Sequence, residues 1–453
     1  MKPIIYILSL LFAGSTYAQN LPPFKSLRYD EDYRFLAKDS APSAYERFKY
    51  RSFSPNKKNY LSMGGELRYQ FLNNIHEDWS EAPADSYLFS RFLTHADLHL
   101  GDHLRFFTQL QGSMANGKAS PTSAVDENIL DLHQAFVDIS SFRKKLLFRL
   151  GRQEFSYGSQ RLISVRELPN NRQAFDAAKA MITLDGHKLD VFYGHYVSAR
   201  KGVFDDVSGR DIQLWGVYWV NNRVPVIRNV DLYYIGLHKN KAVFNDGRGK
   251  EQRHSIGTRV WGGANGWKYD FEMVYQFGKF AGKTISAWTA SSHTTYRFSQ
   301  AKWRPELGLK TEVISGDRQT GDNRLGTFNP LFPKGAYFGL AAFIGPANIF
   351  DIHSSFSLEP VKEKLVWTID HDVFWRNSVQ DGIYATNVSV IFPAGNSGRR
   401  LIGHQLATDI TYTPNRALLL RAEATWFAAG DYLKTVSAGK DILFFGITTQ
   451  FKF

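Results

Sequence analysis

The stretch Asp441–Phe453 constrains everything that precedes it. Leu443, Phe445, Ile447, Thr449, Phe451 and Phe453 share one face of an extended strand, and Phe444, Gly446, Thr448, Gln450 and Lys452 share the other. Strict alternation running to a final aromatic residue is out of place in a soluble domain, where terminal residues fray. It fits a strand whose outer face meets lipid. Such a strand needs roughly 9–11 residues and cannot leave its edge unpaired in hydrocarbon, so it has to close a barrel.

Composition agrees with this. The start of the chain has the form of an export leader: Lys2, an apolar run over Ile4–Ala13, and the small-residue pattern Thr16-Tyr17-Ala18 with cleavage expected near Ala18. No later window is long and apolar enough for a spanning helix. Mean hydropathy is soluble-like although 15% of residues are aromatic, as expected where outward apolar and inward polar residues average along each strand. There are no cysteines, which excludes disulfides and thiolate metal sites. The formal net charge of +12 points to an anionic partner, and export makes nucleic acid an unsuitable one.

Along the chain, residues 19–58 mix charges, aromatics and prolines without a sustained period. They are expected to form a periplasmic N-terminal extension with one small packed element around Tyr29–Leu36. From residue 59 to 453 the period is two. Leu61, Met63, Gly65, Leu67, Tyr69 and Phe71 oppose Glu66, Arg68 and Gln70. Short breaks (Gly101-Asp102, Ser140–Lys144, Asp185-Gly186, Gly262–Gly266, Thr413–Arg416) alternate with longer polar ones (Asn73–Tyr87, Ser113–Glu127, Ser156–Asp176, Ser315–Phe343, Asn377–Arg399). The expected fold is therefore all-β: a transmembrane antiparallel β-barrel of about 18 strands with short periplasmic turns and long extracellular loops, in the outer membrane. Asn221–Arg228 and Gly278–Lys283 leave that count ambiguous by two strands.

A lipid-facing Arg or Lys near the membrane midplane costs about 2–4 kcal/mol, so mid-strand charges are assigned to the lumen. Arg68, Arg91, Asp97, Arg105, Arg149, Lys179, Arg421 and Glu423 fall opposite apolar neighbours and are read as lumenal. Between two strands, Gly151–Asp176 (GRQEFSYGSQRLISVRELPNNRQAFD) carries Arg152, Arg161, Arg166 and Arg172 among Glu154, Glu167 and Asp176. Its anchors Phe155, Tyr157, Leu162, Ile163 and Phe175 predict a loop that folds back and narrows the pore. Guanidinium groups suit carboxylated sugars because they pair bidentately and stack.

The GRQE, YG, RL, R, PN, R and FD series of this segment resembles the alginate export family of outer-membrane porins. Gly316–Gly339 (GDRQTGDNRLGTFNPLFPKGAYFG) is similar to a loop of that family and Gly403–Phe453 to its closing strands. The resemblance implies an eighteen-stranded barrel whose basic constriction passes an anionic polysaccharide outward. It carries Arg152, Arg161, Arg166 and Arg172 over as the constriction set, and Asp317, Arg318 and Arg324 as a second cluster. A terminal Phe453 resembles the signal read by the outer-membrane assembly machinery. The resemblance favours a monomer and is compatible with a periplasmic export partner; no cofactor or metal is implied.

Blander readings stand beside these. Arg pairing with Glu and Asp pins loops inside barrels without touching solute, and strict alternation from Leu150 turns Arg152 outward unless a bulge intervenes. His95, Asp97 and His99 look like metal ligands, but at about 3.3 Å per residue the two histidines lie about 13 Å apart. Gly278–Thr284 is one residue short of a phosphate-binding loop. Trp215, Tyr218, Trp219, Trp261, Trp267 and Tyr269 are expected in the interface belt, some of them able to stack on sugars. A diffusion porin for small anionic nutrients fits the same barrel. An outer-membrane enzyme would need a triad from separate strands, and neither G-x-S-x-G nor H-E-x-x-H occurs.

Overall fold

The computed structural model describes residues 21–141 and 145–453, so the leader read over residues 1–18 lies outside the described residues. Eighteen long strands form the wall. In chain order they are β1 (Tyr60–Ile75), β2 (Asp85–Leu100), β3 (Leu104–Asn116), β4 (Asn128–Ser141), β5 (Leu146–Gln153) and β6 (Phe175–Leu184). There follow β7 (His187–Ser198), β8 (Val207–Val224), β9 (Arg228–Phe244), β10 (Gly247–Ala264), β11 (Trp267–Phe280) and β12 (Lys283–Arg297). The last six are β13 (Glu306–Ile314), β14 (Ile349–Val361), β15 (Leu365–Arg376), β16 (Leu401–Tyr412), β17 (Leu418–Ala429) and β18 (Ile442–Lys452).

Each strand pairs antiparallel with its sequence neighbours. β18 closes on β1, from Glu66 opposite Lys452 to Ile75 opposite Leu443. Closure leaves no long edge to be satisfied in lipid, which is why the alternation has to persist to the end of the chain. Both ambiguous stretches are connections: residues 225–227 turn β8 into β9, and residues 281–282 turn β11 into β12. The latter hairpin is also what the near-miss phosphate loop becomes.

Side chains fall on the expected faces. Tyr69, Phe71, Phe92, Phe106, Phe148, Leu150, Phe445 and Ile447 are exposed on the outside, whereas Glu66, Arg68, Gln70, Arg91, Asp97 and Arg149 are buried within. At about 3.3 Å per residue, the eleven residues of β18 span about 36 Å, or about 25 Å of membrane when tilted by about 45°. Long loops crowd one end of the barrel. The third outer loop is residues 154–174, the fourth 199–206, the seventh 315–348, the eighth 377–400 and the ninth 430–441.

At the short-turn end, residues 21–59 dock against the inner surface of β1–β5. The segment contains a helix, α1 (Ala44–Lys49), whose Ser43 and Glu46 form a reciprocal capping box that satisfies two helix-end N–H groups. Tyr29 is its centre. The ring packs edge-on against Phe107 (5.9 Å) and Phe136 (5.4 Å), and its hydroxyl donates to the Glu154 carbonyl at 3.0 Å. Arg28 donates to the carbonyls of Gly65 (2.9 Å) and Phe453 (3.0 Å), tying the segment to the seam where the barrel closes.

Candidate functional site

The third outer loop leaves the wall after Gln153, two residues past Gly151. The Gly151 φ of +125° and the position of an added Cβ, 2.3 Å from the Ala135 carbonyl oxygen, admit only glycine there. The chain then runs into the lumen on aromatic anchors. Phe155 stacks on Phe175 (5.1 Å), and Tyr157 stacks on Phe192 (5.2 Å) and Tyr218 (4.9 Å). Midway it joins the seventh loop through backbone bonds: Ser164 N–H to Phe332 O and Phe332 N–H to Leu162 O, both 2.9 Å, and Lys334 N–H to Gln160 O at 3.0 Å. It then reaches the opposite wall, where Arg68 donates to the carbonyls of Glu167 (2.7 Å) and Pro169 (3.0 Å). Asn170 Nδ2 donates to the carbonyls of Ser90, Met114 and Asp126. The two loops together form a strap across the lumen.

The charges on and around the strap are mostly paired. Arg161 donates to Glu272 (3.2 Å), Ser291 Oγ (2.5 Å) and Tyr337 Oη, and also pairs with Glu312; Tyr337 in turn donates to Glu312 at 2.6 Å. On the opposite wall, Arg172 pairs with Glu154 at 2.8 Å and also donates to Ser26 O, joining strap and N-terminal segment. Arg91 pairs with Glu66 at 2.6 Å and with Glu167. Burial would raise the Glu167 carboxyl, but Arg91, Arg172 and Arg68 outweigh it and hold this group well below the usual carboxylate range.

Nearer the inner mouth, Arg105 pairs with Asp97 (2.7 Å) and Asp138 (3.3 Å), and Arg149 pairs with Asp138 (2.7 Å). Both hold Tyr29: Arg105 donates to its carbonyl at 2.6 Å, and the Arg149 guanidinium lies 4.1 Å above its ring. Lys179 pairs with Asp190 at 2.7 Å. His99 lies 3.1 Å from Asp97 and stacks on Tyr60, so the His95/Asp97/His99 series belongs to this wall network. Arg421 donates to Thr411 Oγ1 at 3.2 Å; Glu423 is buried beside it, under Gly446.

Several expected path residues stand elsewhere. Arg152 and Asp176 pair at 2.9 Å on the outward side of β5 and β6, because the strand phase set by Leu150 persists past Gly151. Arg166 lines a cavity of about 190 Å³ behind the strap with His133 and Arg152, its Nε buried without a partner. Asp317, Arg318 and Arg324 gather at the outer rim, where Arg324 reaches the outward hydroxyl of Ser286 at 2.8 Å. These three therefore leave the lumenal path, since the seventh loop crosses the rim before it turns inward. Two expected belt residues, Tyr218 and Trp261, also face inward and donate to Asp231 at 2.8 and 2.9 Å.

The sequence reading missed Lys334, at the junction of the two strap loops. Among the described residues it has no carboxylate within 4.0 Å; burial and the nearby Arg161 lower its pKa, opposed by Asp270 and Glu272. Tyr337 lies beside it, and Lys310 of β13 sits 4.9 Å from the same ring. Its only sequence signal was a lysine between Pro333 and Gly335 in a loop otherwise read for its arginines. Below the strap, Lys188 is exposed and, among the described residues, has no carboxylate within 4.0 Å; it lies beside a cavity of about 440 Å³ shared with Tyr157, Lys179 and Trp261.

For a metal, the described residues bring together one carboxylate group, Asp131, Asp205 and Asp206. Asp131 accepts from Asp206 N–H (2.9 Å), and Asp206 accepts from Asn128 and from Arg200 N–H. These bonds fasten the fourth loop to the edge of β4 that β5 vacates.

Comparison with known proteins agrees with the geometry. The sequence pattern of the alginate export family matches residues 59–440. No curated protein matches the chain significantly. Among solved structures, OpdK of Pseudomonas aeruginosa superposes with a TM-score of 0.60 at 10% identity, over 87% of this chain and 98% of its own. OccAB1 of Acinetobacter baumannii gives 0.57 at 12% identity, over 90% and 99%. OccK2 (OpdF) of Pseudomonas aeruginosa, solved in complex with glucuronate, gives 0.57 at 10% identity, over 86% and 96%.

Proposed function

Because this chain belongs to the alginate export family of outer-membrane channels, we propose that its lumen passes carboxylated sugar chains, of the uronate type, by passive diffusion. The observation that carries the reading is Lys334. An ammonium group with no carboxylate partner among the described residues, set where the two strap loops meet, lowers the barrier to an anion passing the strap. Arg161, Arg172, Arg68 and Arg91 are already neutralised by glutamates and hold the strap in place. They keep the field around Lys334 moderate, so that a passing carboxylate is attracted without being trapped. Lys188 below the strap offers a second cation with no carboxylate partner among the described residues.

A second reading, passage of single acidic sugars rather than polymers, is favoured by the fold likeness to OccK2, a channel solved with glucuronate. In both readings the protein is a monomer, loses its leader near Ala18, enters the outer membrane through recognition of Phe453 and accommodates a periplasmic partner at its inner mouth. The test is Lys334→Gln in planar bilayers. Loss of anion preference and of block by oligouronates supports the reading. Retention of both removes Lys334 from the path.

A further inference from the structure

Five cations on the outside of the barrel play no part in the lumen. Lys241 of β9, Arg248 and Lys250 of β10, Lys279 of β11 and Arg324 of the seventh loop are all exposed. Their heights follow from the register. Arg248 lies opposite Val243, and Lys250 faces the bulge that contains Lys241. Lys279 lies opposite Gln252 on one side and Thr284 on the other, and Arg324 lies beside Thr284 in parallel pairing. Lys279 donates to Thr284 Oγ1 (2.9 Å), and Arg324 reaches Ser286, so both side chains lie on the outward face. With neighbouring strands about 4.8 Å apart, the four intervals from Lys241 to Arg324 make a band about 19 Å wide.

Among the described residues none of the five has a carboxylate within 4.0 Å, and the nearest acids are engaged elsewhere. Asp246 pairs with Lys283, Asp211 accepts from Asn240, and Asp322 accepts from the Arg324 N–H. Glu251 and Glu272, on the same strands, face the lumen and are buried. Directly below the band, in register, lie His254 and Phe277, then Ile256, Tyr275 and Trp288, then Leu232 and Met273. All but His254 are exposed, as the lipid-facing aromatic girdle and apolar wall of a barrel should be.

We infer that this band is a docking surface for membrane lipid whose headgroup carries phosphates. Its place immediately above the lipid-facing wall selects the occupant: acyl chains lie along Met273, Ile256 and Trp288 while phosphate oxygens meet the cations. Arg248 and Arg324 offer bidentate geometry, and the three lysines act as point charges. The spacing suits a headgroup with more than one phosphate.

The mature protein, refolded in neutral detergent, is examined by native mass spectrometry with three probes. These are a bisphosphorylated acyl-disaccharide lipid, a zwitterionic phosphatidylcholine and inorganic phosphate. The wild type is expected to retain the bisphosphorylated lipid and neither of the others. Replacing all five cations by Gln should remove that retention, at roughly fivefold in affinity per cation, with the melting profile of the barrel unchanged. Replacing Arg223, Arg228, Lys302 and Lys362, at the short-turn end, by Gln should leave it intact. Equal retention by both variants, equal retention of phosphatidylcholine, or displacement by inorganic phosphate at matched phosphate concentration would each overturn the inference.

Discussion

Arg161 separates two accounts of the constriction. Glu272 of β11 and Glu312 of β13 lie on one row of the wall with Ser291 between them, about 10 Å apart by strand spacing. The Arg161 guanidinium bridges the row and also bonds Tyr337, so a single side chain holds the third loop, the seventh loop and two strands. Arg161→Met leaves two buried carboxylates without their shared cation, a loss of about 3–5 kcal/mol for a buried pair broken on one side. What still joins the loops at that point is three backbone bonds, worth about 0.5–1.5 kcal/mol each. The substitution should therefore halve the hold on the strap while the closed ladder of eighteen strands stays intact. In a planar bilayer the variant is expected to show higher and noisier conductance with anion preference retained, because Lys334 remains. Adding Glu272→Gln and Glu312→Gln should restore the quieter wild-type current. Unchanged conductance together with lost anion preference would refute this reasoning and make Arg161 a solute contact instead.

Two further outcomes follow from the same geometry. Tyr29→Ala removes a ring clasped by Phe107, Phe136 and Arg149, so a loss of about 3–5 kcal/mol is expected for the docking of residues 21–59, read as faster proteolysis of that segment while the barrel resists. Burial raises the Asp317 carboxyl to about 6, with Gly326 N–H opposing and Asp381 and Asp246 assisting. A folded pKa above the unfolded value of 3.8 means that this group's contribution is complete below about 3.8 and lost as pH rises through about 6. Hydrogen-exchange protection of the seventh loop, taken relative to the intrinsic exchange rate at each pH, should therefore fall between those values, and Asp317→Asn should remove that fall.

The wall was legible because alternation reports which face a residue takes. Glu66, Arg91 and Arg149 were placed inside by their apolar neighbours alone, and Leu443, Phe445 and Ile447 outside. The third loop was legible as a fold-back because its anchors, Phe155, Leu162 and Ile163, have no use in solvent. Alternation says nothing about partners. That Arg161 would meet Glu272 and Glu312 depends on a fold-back of more than a hundred residues, and with it Arg161 changes from free cation to tether. The irregular seventh loop was the least legible. Its arginines drew attention, but Arg324 stays on the rim while the unremarkable Lys334 is carried into the lumen. Residues 21–59 lacked any period, and only the aromatic cradle of Phe107 and Phe136 reveals where Tyr29 goes.

The central claim, that the lumen favours carboxylated sugars, is tested most directly by single-channel current through the mature protein with oligouronates added and, separately, with neutral oligosaccharides of matched length. The account predicts anion-selective channels blocked by the acidic oligomers alone. Equal block by both, or by neither, would contradict it.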